Sequence, residues 1–263
     1  MARIIRRRLQ QSRSAFASRL TAGQRTVTAE ILDELPPCDP RAIRSRRDLQ
    51  RVNRAMGNCG ILRRVCRRVL PPAARDVRVR ILELGAGDGT LSLRLAAQLA
   101  RSWRAAEMTL LDRQVLIGES TGTAFAHLGW TLCPLSVDVM QWARAPAQPE
   151  APERWDLILV NLFLHHLQLD ALRELLASVA QRCNAFIACE PRRSLAGLLG
   201  TRLLPALAVS RDTLHDAAIS VRAGFRDEEL SRLWPDQAPG WRLHEGAAGL
   251  FGHLFVARRA GAP

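Results

Sequence analysis

The sequence predicts an α/β fold: a doubly wound, mostly parallel sheet of seven strands, with a basic helical region in front of it. Three observations support this prediction. Apolar runs of strand length alternate with helical patterns from residue 77 onward. A glycine-rich turn joins the first run to a helix. The charge is also divided unevenly, because residues 1–80 carry 20 arginines against 6 acids, whereas residues 81–263 carry 18 against 19.

The N-terminal region is predicted to be helical over residues 1–35 and again from about 39 to 70. Pro36 and Pro37 end the first pattern, Gly57 and Gly60 are expected interruptions of the second, and prolines follow at 71 and 72. We therefore divide the chain into a basic helical cap, residues 1–76, and a main domain, residues 77–263. The basic faces of these helices are either simply solvated or attracted to an anionic surface such as acidic lipid.

The main domain contains five strongly apolar segments of strand length, at 77–84, 108–112, 131–135, 155–161 and 185–190. Near-continuous apolar strands that alternate with helices indicate a parallel sheet covered on both faces. A helix is expected over 169–182, where leucines recur at helical spacing. The segments 241–245 and 253–257 are predicted to close the sheet as an antiparallel hairpin. An insertion of about 195–235 lies before this hairpin.

Composition limits the possible locations of the protein. Six cysteines are scattered without C-x-x-C pairs, which favours reduced thiols in the cytoplasm, and no metal site is expected. No apolar run is long enough to span a membrane, and no secretory signal is evident. The first 20 residues superficially resemble an organellar transit peptide, which we rank second. Lysine and tyrosine are absent from the chain, a bias that we attribute to genomic coding.

The glycine-rich turn has the sequence Glu83-Leu84-Gly85-Ala86-Gly87-Asp88-Gly89-Thr90. Glycines permit a sharp turn and a close approach of the backbone to a ligand, and the amides that open the helix favour an anionic group. Thr90 stands where the dinucleotide fingerprint has its third glycine, which disfavours nicotinamide binding. The pattern E-x-G-x-G-x-G resembles the first motif of the class I S-adenosylmethionine-dependent methyltransferases.

This resemblance covers about residues 77–257 and implies a Rossmann-like fold with S-adenosyl-L-methionine as cofactor. It also implies that the insertion of about 195–235 forms a lid over the methyl acceptor. It implies that Asp112 accepts hydrogen bonds from the ribose, that Asp138 accepts from the adenine amino group, and that Asn161 lies at the methionine end. The expected cofactor-binding residues are Glu83, Gly85, Ala86, Gly87, Gly89, Asp112, Arg113, Asp138, Val139 and Asn161.

The segment that follows Asn161 bears on the methyl acceptor. It reads Leu162-Phe163-Leu164-His165-His166 and lacks the prolines of enzymes that methylate the amines of nucleic acid bases. It resembles small-molecule methyltransferases, including the quinone C-methylating group and polyketide and phenol O-methyltransferases. More narrowly, the chain resembles bacterial methyltransferases of type III polyketide synthase pathways. A small phenolic or polyketide-derived aromatic acceptor is therefore expected, with O-methylation preferred over C-methylation.

The candidate catalytic residues are His215, Glu190 and His165. His215 is the preferred base, with Asp216 or Glu190 orienting it or the substrate. The adjacent His165 and His166 cannot both face the cleft. For each histidine, a purely structural role is an equal alternative.

Two other functions stay open. An RNA methyltransferase could use the basic N-terminal region, although no aromatic residues are interleaved with its arginines, so a nucleic acid partner is disfavoured. Alternatively, the fold could bind the cofactor without turnover. The basic N-terminal helices could make peripheral membrane contact, and the sequence leaves the oligomeric state open.

Overall fold

A computed structural model describes residues 23–70, 78–146, 154–235 and 240–261 of the chain. Its centre is a single seven-stranded sheet. The strands are β1 Val79–Leu84, β2 Ala106–Asp112, β3 Trp130–Ser136, β4 Leu157–Asn161, β5 Ala185–Pro191, β6 Trp241–Ala248 and β7 Gly252–Arg259. Each predicted strand is present, within two residues of its expected ends in most cases. The predicted fold class is confirmed.

The strand order is β3-β2-β1-β4-β5-β7-β6. The first five strands run parallel, whereas β7 pairs antiparallel with both β5 and β6. The tail therefore forms the expected terminal hairpin. In this order the chain leaves β1 toward one edge of the sheet and leaves β4 toward the other, which creates a crevice at the carboxyl ends of these two neighbouring strands.

Helices cover both faces of the sheet. They are α1 Ile31–Glu34, α2 Pro40–Met56, α3 Asn58–Val69, α4 Thr90–Leu99, α5 Glu119–His127, α6 Val139–Arg144, α7 Leu169–Arg182, α8 Leu195–Thr201 and α9 Arg211–Ala223. Helix α7 has the bounds that its leucine spacing predicts. No helix of the described ranges is both long and apolar enough to cross a bilayer.

Alternate residues of the parallel strands enter two separate hydrophobic cores. Ile81, Met108 and Leu159 face one core, and their neighbours Leu82 and Leu111 face the other, as the pleat of a strand requires. This double burial explains why the strands are near-continuously apolar in sequence.

The N-terminal region departs in part from its prediction. Residues 1–22 of the expected first helix lie outside the described residues. Residues 23–30 contain no helix, and only α1 follows them. The β-branched run at residues 26–28 disfavours a helix there, and tertiary hydrogen bonds described below hold the segment extended. The second pattern is broken at Gly57, which adopts φ 70°, whereas Gly60 lies inside α3.

Helix α3 is part of the main core. Its residues Leu62, Cys66 and Val69 are buried in the same cluster as Val79 of β1 and Leu95 of α4. Helix α2 is instead fixed to α9, because the buried Asp48 carboxylate accepts hydrogen bonds from the Ser210 amide and the Thr213 hydroxyl. The described part of the basic region is therefore a packed layer over the sheet and over the crevice.

Candidate cofactor and acceptor site

The glycine-rich loop lies at the crevice, directly after β1. Gly85, Gly87 and Gly89 adopt φ values of 70°, 57° and 73°, the left-handed region that favours glycine. The amides of Gly85 and Ala86 donate to the Leu111 carbonyl of β2 at 2.9 and 3.0 Å, which holds the loop against the sheet.

The glycines have different surroundings. A Cβ atom on Gly85 would overlap the Phe163 ring, and one on Gly89 would lie 2.9 Å from Leu110. A Cβ atom on Gly87 would meet nothing within 4 Å. Gly87 borders the cavity described below, so its open side is where a ligand can approach the backbone.

Glu83 is the last acid before the loop and is 2% exposed. The Ser92 hydroxyl on α4 donates to its carboxylate. Burial raises the pKa of Glu83 to about 7, the Ser92 hydrogen bond acts against this rise, and the nearby Asp112 and Asp88 add to it. Glu83 thus exchanges its proton near neutral pH and lines the cavity beside the loop.

Asp112 ends β2 and is connected to the glycine loop. Its Oδ2 accepts from the Gly87 amide at 2.9 Å and its Oδ1 from the Gln114 amide at 2.9 Å. Each carboxylate oxygen retains a second lone pair for a hydroxyl donor. The adjacent Arg113 guanidinium donates to the Asp33 carbonyl at 2.7 Å and therefore belongs to a contact with the N-terminal segment.

Asp138 and Val139 follow β3. Asp138 caps α6, because its Oδ1 accepts from the amides of Met140 and Gln141 at 2.8 and 3.1 Å. Val139 is buried in the second core. Neither residue lines the cavity, and their adenine contacts stay predictions.

Asn161 ends β4 and faces the cap. Its side-chain amide donates to Asn53 Oδ1 at 3.1 Å, and its Oδ1 accepts from Asn58 at 3.0 Å. Asn58 also donates to Asn53 Oδ1 at 2.8 Å. Asn53 and Asn161 line the cavity, so this network fixes α2 to the end of β4.

A second contact fixes α2 to the glycine loop itself. The Gln50 side-chain amide donates to Asp88 Oδ2 at 2.6 Å and to the Thr90 hydroxyl at 3.2 Å. Helix α2 therefore forms one wall of the crevice, with polar contacts at the loop and at the end of β4.

Helix α2, the glycine loop and the end of β4 border a cavity of about 430 Å³. Its lining is largely apolar and comes from two sides. Helix α2 contributes Leu49, Val52 and Met56, and the expected lid contributes Leu203, Leu204 and Leu207 around the end of α8. The glycine loop lies at the polar end of the cavity, so one space connects that loop to an apolar compartment.

His165 lies at this cavity between two carboxylates. Its Nδ1 is 2.8 Å from Glu190 Oε2 and its Nε2 is 3.4 Å from Glu30 Oε1. Burial alone lowers the pKa of His165, but the contacts with Glu190 and Glu30 outweigh it and raise the pKa to about 9. His165 is therefore a buried imidazolium at neutral pH.

Glu190 is fully buried at the end of β5. Besides His165, its carboxylate accepts from the amides of Phe163 and Leu164 at 3.0 and 2.9 Å. It does not line the cavity. The structure therefore brings the predicted Glu190 and His165 together, with Glu190 holding the ring in place.

His166 also borders the cavity, with 23% of its side chain exposed, so the expectation that the two adjacent histidines cannot both face the cleft is wrong. They lie in a short 3-10 turn, which brings both rings to the same side. The Nδ1 of His166 lies 2.9 Å from Asp33 Oδ2. Burial raises the pKa of Asp33, but the contact and charge of His166 outweigh this effect, so the pKa is lowered overall. His166 and Asp33 thus form an imidazole–carboxylate pair that is more open than His165.

His215 does not join this group. It lies on α9 with 60% of its side chain exposed, and it does not line the cavity. Its neighbour Asp216 is buried and accepts from the amides of Ile31 and Leu32 at 2.9 and 3.1 Å. Asp216 therefore holds the N-terminal segment. Its Oδ1 also lies 3.3 Å from His215 Nδ1, so the predicted pair is present, but His215 is not among the described residues that line the cavity.

Residues 23–35, which we call the strap, carry the acids that pair with the histidines. Arg25 anchors the strap, because its guanidinium donates to the carbonyls of Ala223 and Leu167 at 2.8 Å each and lies over the Phe225 ring. Glu30 is 6% exposed and accepts from the Ser220 hydroxyl. The strap therefore covers His165 and His166.

Glu30, His165 and His166 together have metal-ligating chemistry. Each offers one ligand atom, and these atoms lie within 4.8 Å of one another. Both ring nitrogens of His165 already face carboxylates, and Nδ1 of His166 faces Asp33. Three of the four ring nitrogens are thus already paired with carboxylates, and we assign no metal to the group.

The sequence analysis missed Glu30, Asp33, Gln50, Asn53 and Asn58. One signal for the strap was available, since Glu30 is the first acid of the chain after a long arginine-rich segment. The amides on α2 and α3 carry no local signal, because their partners lie far away in sequence.

Comparisons with known proteins bear on this geometry. A scan of protein-family models finds no match, and a search of curated proteins finds no similar sequence. Solved structures do match. The plantazolicin methyltransferase BpumL in complex with SAH aligns with this chain at a TM-score of 0.56 and a sequence identity of 12%. The alignment covers 87% of this chain and 92% of that one. This chain has the class I methyltransferase fold.

Two further structures share the class I methyltransferase fold with this chain. The magnesium protoporphyrin IX methyltransferase ChlM from Synechocystis, with bound SAH, is 13% identical, with a TM-score of 0.50 over 78% of this chain and 84% of that one. A putative O-methyltransferase from Nostoc punctiforme is 13% identical, with a TM-score of 0.52 over 90% of this chain and 64% of that one. At this identity the likeness concerns the fold.

Proposed function

We propose that the protein is an S-adenosylmethionine-dependent methyltransferase that acts on a small phenolic or polyketide-derived aromatic acceptor. The observation that carries the proposal is a single cavity that joins the glycine loop and its acids to an apolar compartment with a histidine–carboxylate pair. The solved structures support the choice of cofactor, since two of them hold SAH.

The residues of the cofactor end suit this ligand. The open side of Gly87 leaves room for close approach of a ligand to the backbone, and Asp112 has lone pairs left for ribose hydroxyls. Asn161 and Glu83 line the same end. When bound, S-adenosylmethionine supplies an electrophilic methyl group and leaves as the uncharged thioether.

The apolar compartment suits an aromatic ring. Its leucines, Val52 and Met56 offer dispersion contacts and exclude water, which strengthens nearby electrostatic interactions. A hydroxyl on the ring must lose its proton before or during transfer to be a good nucleophile. His166, oriented by Asp33, is placed to accept that proton.

This assignment moves the proposed base from His215 to His166, with Glu190 and Glu30 as residues that position His165. O-methylation is preferred because the base pair needs an acidic hydroxyl. C-methylation at a ring carbon activated by the same phenolate is the second outcome.

The test combines calorimetry with methyl transfer. We expect S-adenosylmethionine and S-adenosylhomocysteine to bind, and labelled methyl to appear on members of a phenol panel. Each phenol is paired with its methyl ether, which cannot form a phenolate, so transfer to the phenol alone shows that the ionised hydroxyl is required. NMR of the product then distinguishes a methyl ether from a ring-methylated phenol. A protein that binds neither cofactor form contradicts the proposal, and one that binds without turnover supports the non-catalytic alternative.

An RNA methyltransferase is the alternative function. Several exposed arginines of α2 and α3 pair with no carboxylate among the described residues, and such a basic surface can bind the phosphates of a nucleic acid. The apolar lining of the cavity and the lack of prolines after Asn161 disfavour this function. Methyl transfer to total RNA, with affinity that falls steeply with salt, would establish this alternative instead.

The cysteines support a cytoplasmic location. All six are free, and burial raises the pKa of Cys66 and Cys189 to about 12, so these thiols are unreactive.

A further inference from the structure

We propose that the mouth of the cavity docks onto an anionic lipid bilayer, so that an amphipathic acceptor enters the site from the membrane interface. The second clause rests on the proposed function, whereas the docking surface does not. The proposal rests on the positions of exposed arginines and leucines around one opening.

The mouth is defined by cavity-lining residues that are also exposed. Leu203 lines the cavity from the α8 side and is 69% exposed. Ala55 lines it from α2 and is exposed as well. The two sides lie close together, because the Arg51 guanidinium of α2 donates to the Ala208 carbonyl at 3.0 Å.

Apolar side chains surround this mouth. Leu199 lies one turn before Leu203 on the α8 side and is 57% exposed, and Leu250 in the β6–β7 turn is 76% exposed. The turn is adjacent to α8, because a Cβ atom on Gly200 would come within 2.6 Å of the Phe251 ring. Leu199, Leu203 and Leu250 are all more than half exposed, and water is a poor environment for such apolar side chains.

Arginines adjoin the same mouth. Arg202 precedes Leu203, and Arg54 precedes Ala55. The segment 40–70 carries ten arginines against a single aspartate. In the described part of the chain, no carboxylate pairs with the exposed side chains of Arg54, Arg63, Arg64, Arg67, Arg68 and Arg202.

Leucines flanked by unpaired arginines match the interface of a bilayer with acidic lipids. The apolar side chains enter the boundary between headgroups and acyl chains, and the guanidinium groups contact anionic headgroups. A nucleic acid fits less well, because α2 and α3 contain no aromatic residue for stacking and the leucines would stay in water. An apolar acceptor leaving the bilayer at this point would enter the cavity directly.

Co-sedimentation with vesicles tests the docking surface on the full chain without cofactor. We compare phosphatidylcholine vesicles with vesicles in which about a third of the lipid is phosphatidylserine. Wild type is expected to bind the anionic vesicles and to lose affinity at high salt. Arg54→Gln with Arg202→Gln is expected to lower the partition coefficient about twenty-five-fold, at about fivefold for each arginine near an acidic surface. Leu199→Ser with Leu250→Ser is expected to lower it about tenfold or more.

Control variants carry changes of the same kind elsewhere, and the single leucine control is compared with Leu199→Ser and Leu250→Ser made separately. Arg101→Gln with Arg104→Gln removes two exposed arginines at the amino end of the sheet, and Leu243→Ser removes an exposed leucine of β6. These variants should bind vesicles as wild type does. Equal losses in the controls, or equally weak binding of wild type to both vesicle types, would overturn the proposal. Binding of an RNA oligonucleotide without vesicle binding would assign the arginines to nucleic acid instead.

Turnover of a short, water-soluble phenol separates this proposal from the proposed function. The changed arginines and leucines do not line the cavity, so all variants should methylate that phenol at the wild-type rate. If vesicle binding follows the expected pattern but no phenol is methylated, the docking surface stands and the proposed acceptor class does not. Methylation without selective vesicle binding gives the reverse result.

Discussion

Alanine at Gly85 and alanine at Gly87 are expected to damage the protein in different ways. Both glycines have positive φ, so either alanine costs about 1–2 kcal/mol of stability in the left-handed region. Only the Cβ atom at 85 overlaps the Phe163 ring, which adds about 1–3 kcal/mol of overpacking. Gly85→Ala should therefore lose about 2–5 kcal/mol in total.

For a protein of this size, such losses correspond to a fall in Tm of about 5–15 °C for Gly85→Ala and less than about 8 °C for Gly87→Ala. Urea unfolding and calorimetry measure both values without cofactor. The order reverses for ligand binding, because the new Cβ at 87 enters open space beside the cavity. Gly87→Ala should weaken S-adenosylmethionine binding about tenfold or more, since 1.4 kcal/mol corresponds to a factor of ten.

The double variant Gly85→Ala with Phe163→Leu is the control for the steric argument, and it should recover part of the stability lost by Gly85→Ala alone. Equal stability losses for the two single variants would refute the role of Phe163. Unchanged cofactor affinity in Gly87→Ala would refute the role of the loop as a cradle.

Three further predictions concern titration and the strap. Because burial raises the pKa of Glu83 to about 7 from its usual 4.5, the free energy of unfolding of wild type should fall as pH rises from about 4.5 to about 7. Glu83→Gln should remove that fall in urea titrations, and the same pH dependence in both proteins would contradict the raised pKa. Burial lowers the pKa of His165, but Glu190 and Glu30 raise it to about 9, so the stability that the charged ring gives to the fold is complete below pH 6.5 and is lost as pH rises through about 9. NMR titration should find the ring protonated at neutral pH and the pKa of His165 lowered in Glu30→Gln. A titration midpoint near 6.5 in wild type would disprove the pairing. Arg25→Ala should lower the free energy of unfolding by about 2 kcal/mol and expose the strap to proteolysis, because the guanidinium donates hydrogen bonds to several carbonyls. Arg44→Ala changes an exposed residue and should behave as wild type, and equal cleavage rates for the two variants would exclude the anchoring role.

Patterns within short segments of the sequence predicted the strands, the helices and one helix break. The apolar runs of β1 to β5 and the leucine spacing of α7 gave the sheet and its helices, because burial on two faces leaves a direct mark on composition. The break at Gly57 was predicted for the same reason, since a left-handed residue favours glycine. Gly60 carries no such requirement, so α3 continues through it.

Pairings over long distances in the chain were not predictable from these patterns. Glu30 meets His165, and Asp33 meets His166, across more than a hundred residues, and nothing in either segment specifies its partner. His215 lies beside Asp216 in sequence and also contacts it in the fold, but the sequence does not specify how far this pair lies from the cavity. In the fold, Asp216 is used for the strap amides and His215 points away from the cavity lining.

The burial of α3 in the main core has a consequence for how acceptor preference can change. Helix α3 contributes Leu62 and Cys66 to the core. The adjoining α2, which forms the cavity wall, presents Leu49, Val52 and Met56 to the cavity. Folding stability and acceptor contacts thus fall on separate helices joined at Gly57. Substitutions on the inner face of α2 can reshape the acceptor compartment while α3 preserves the fold, which makes α2 the natural place for selection, or for a designer, to alter substrate range.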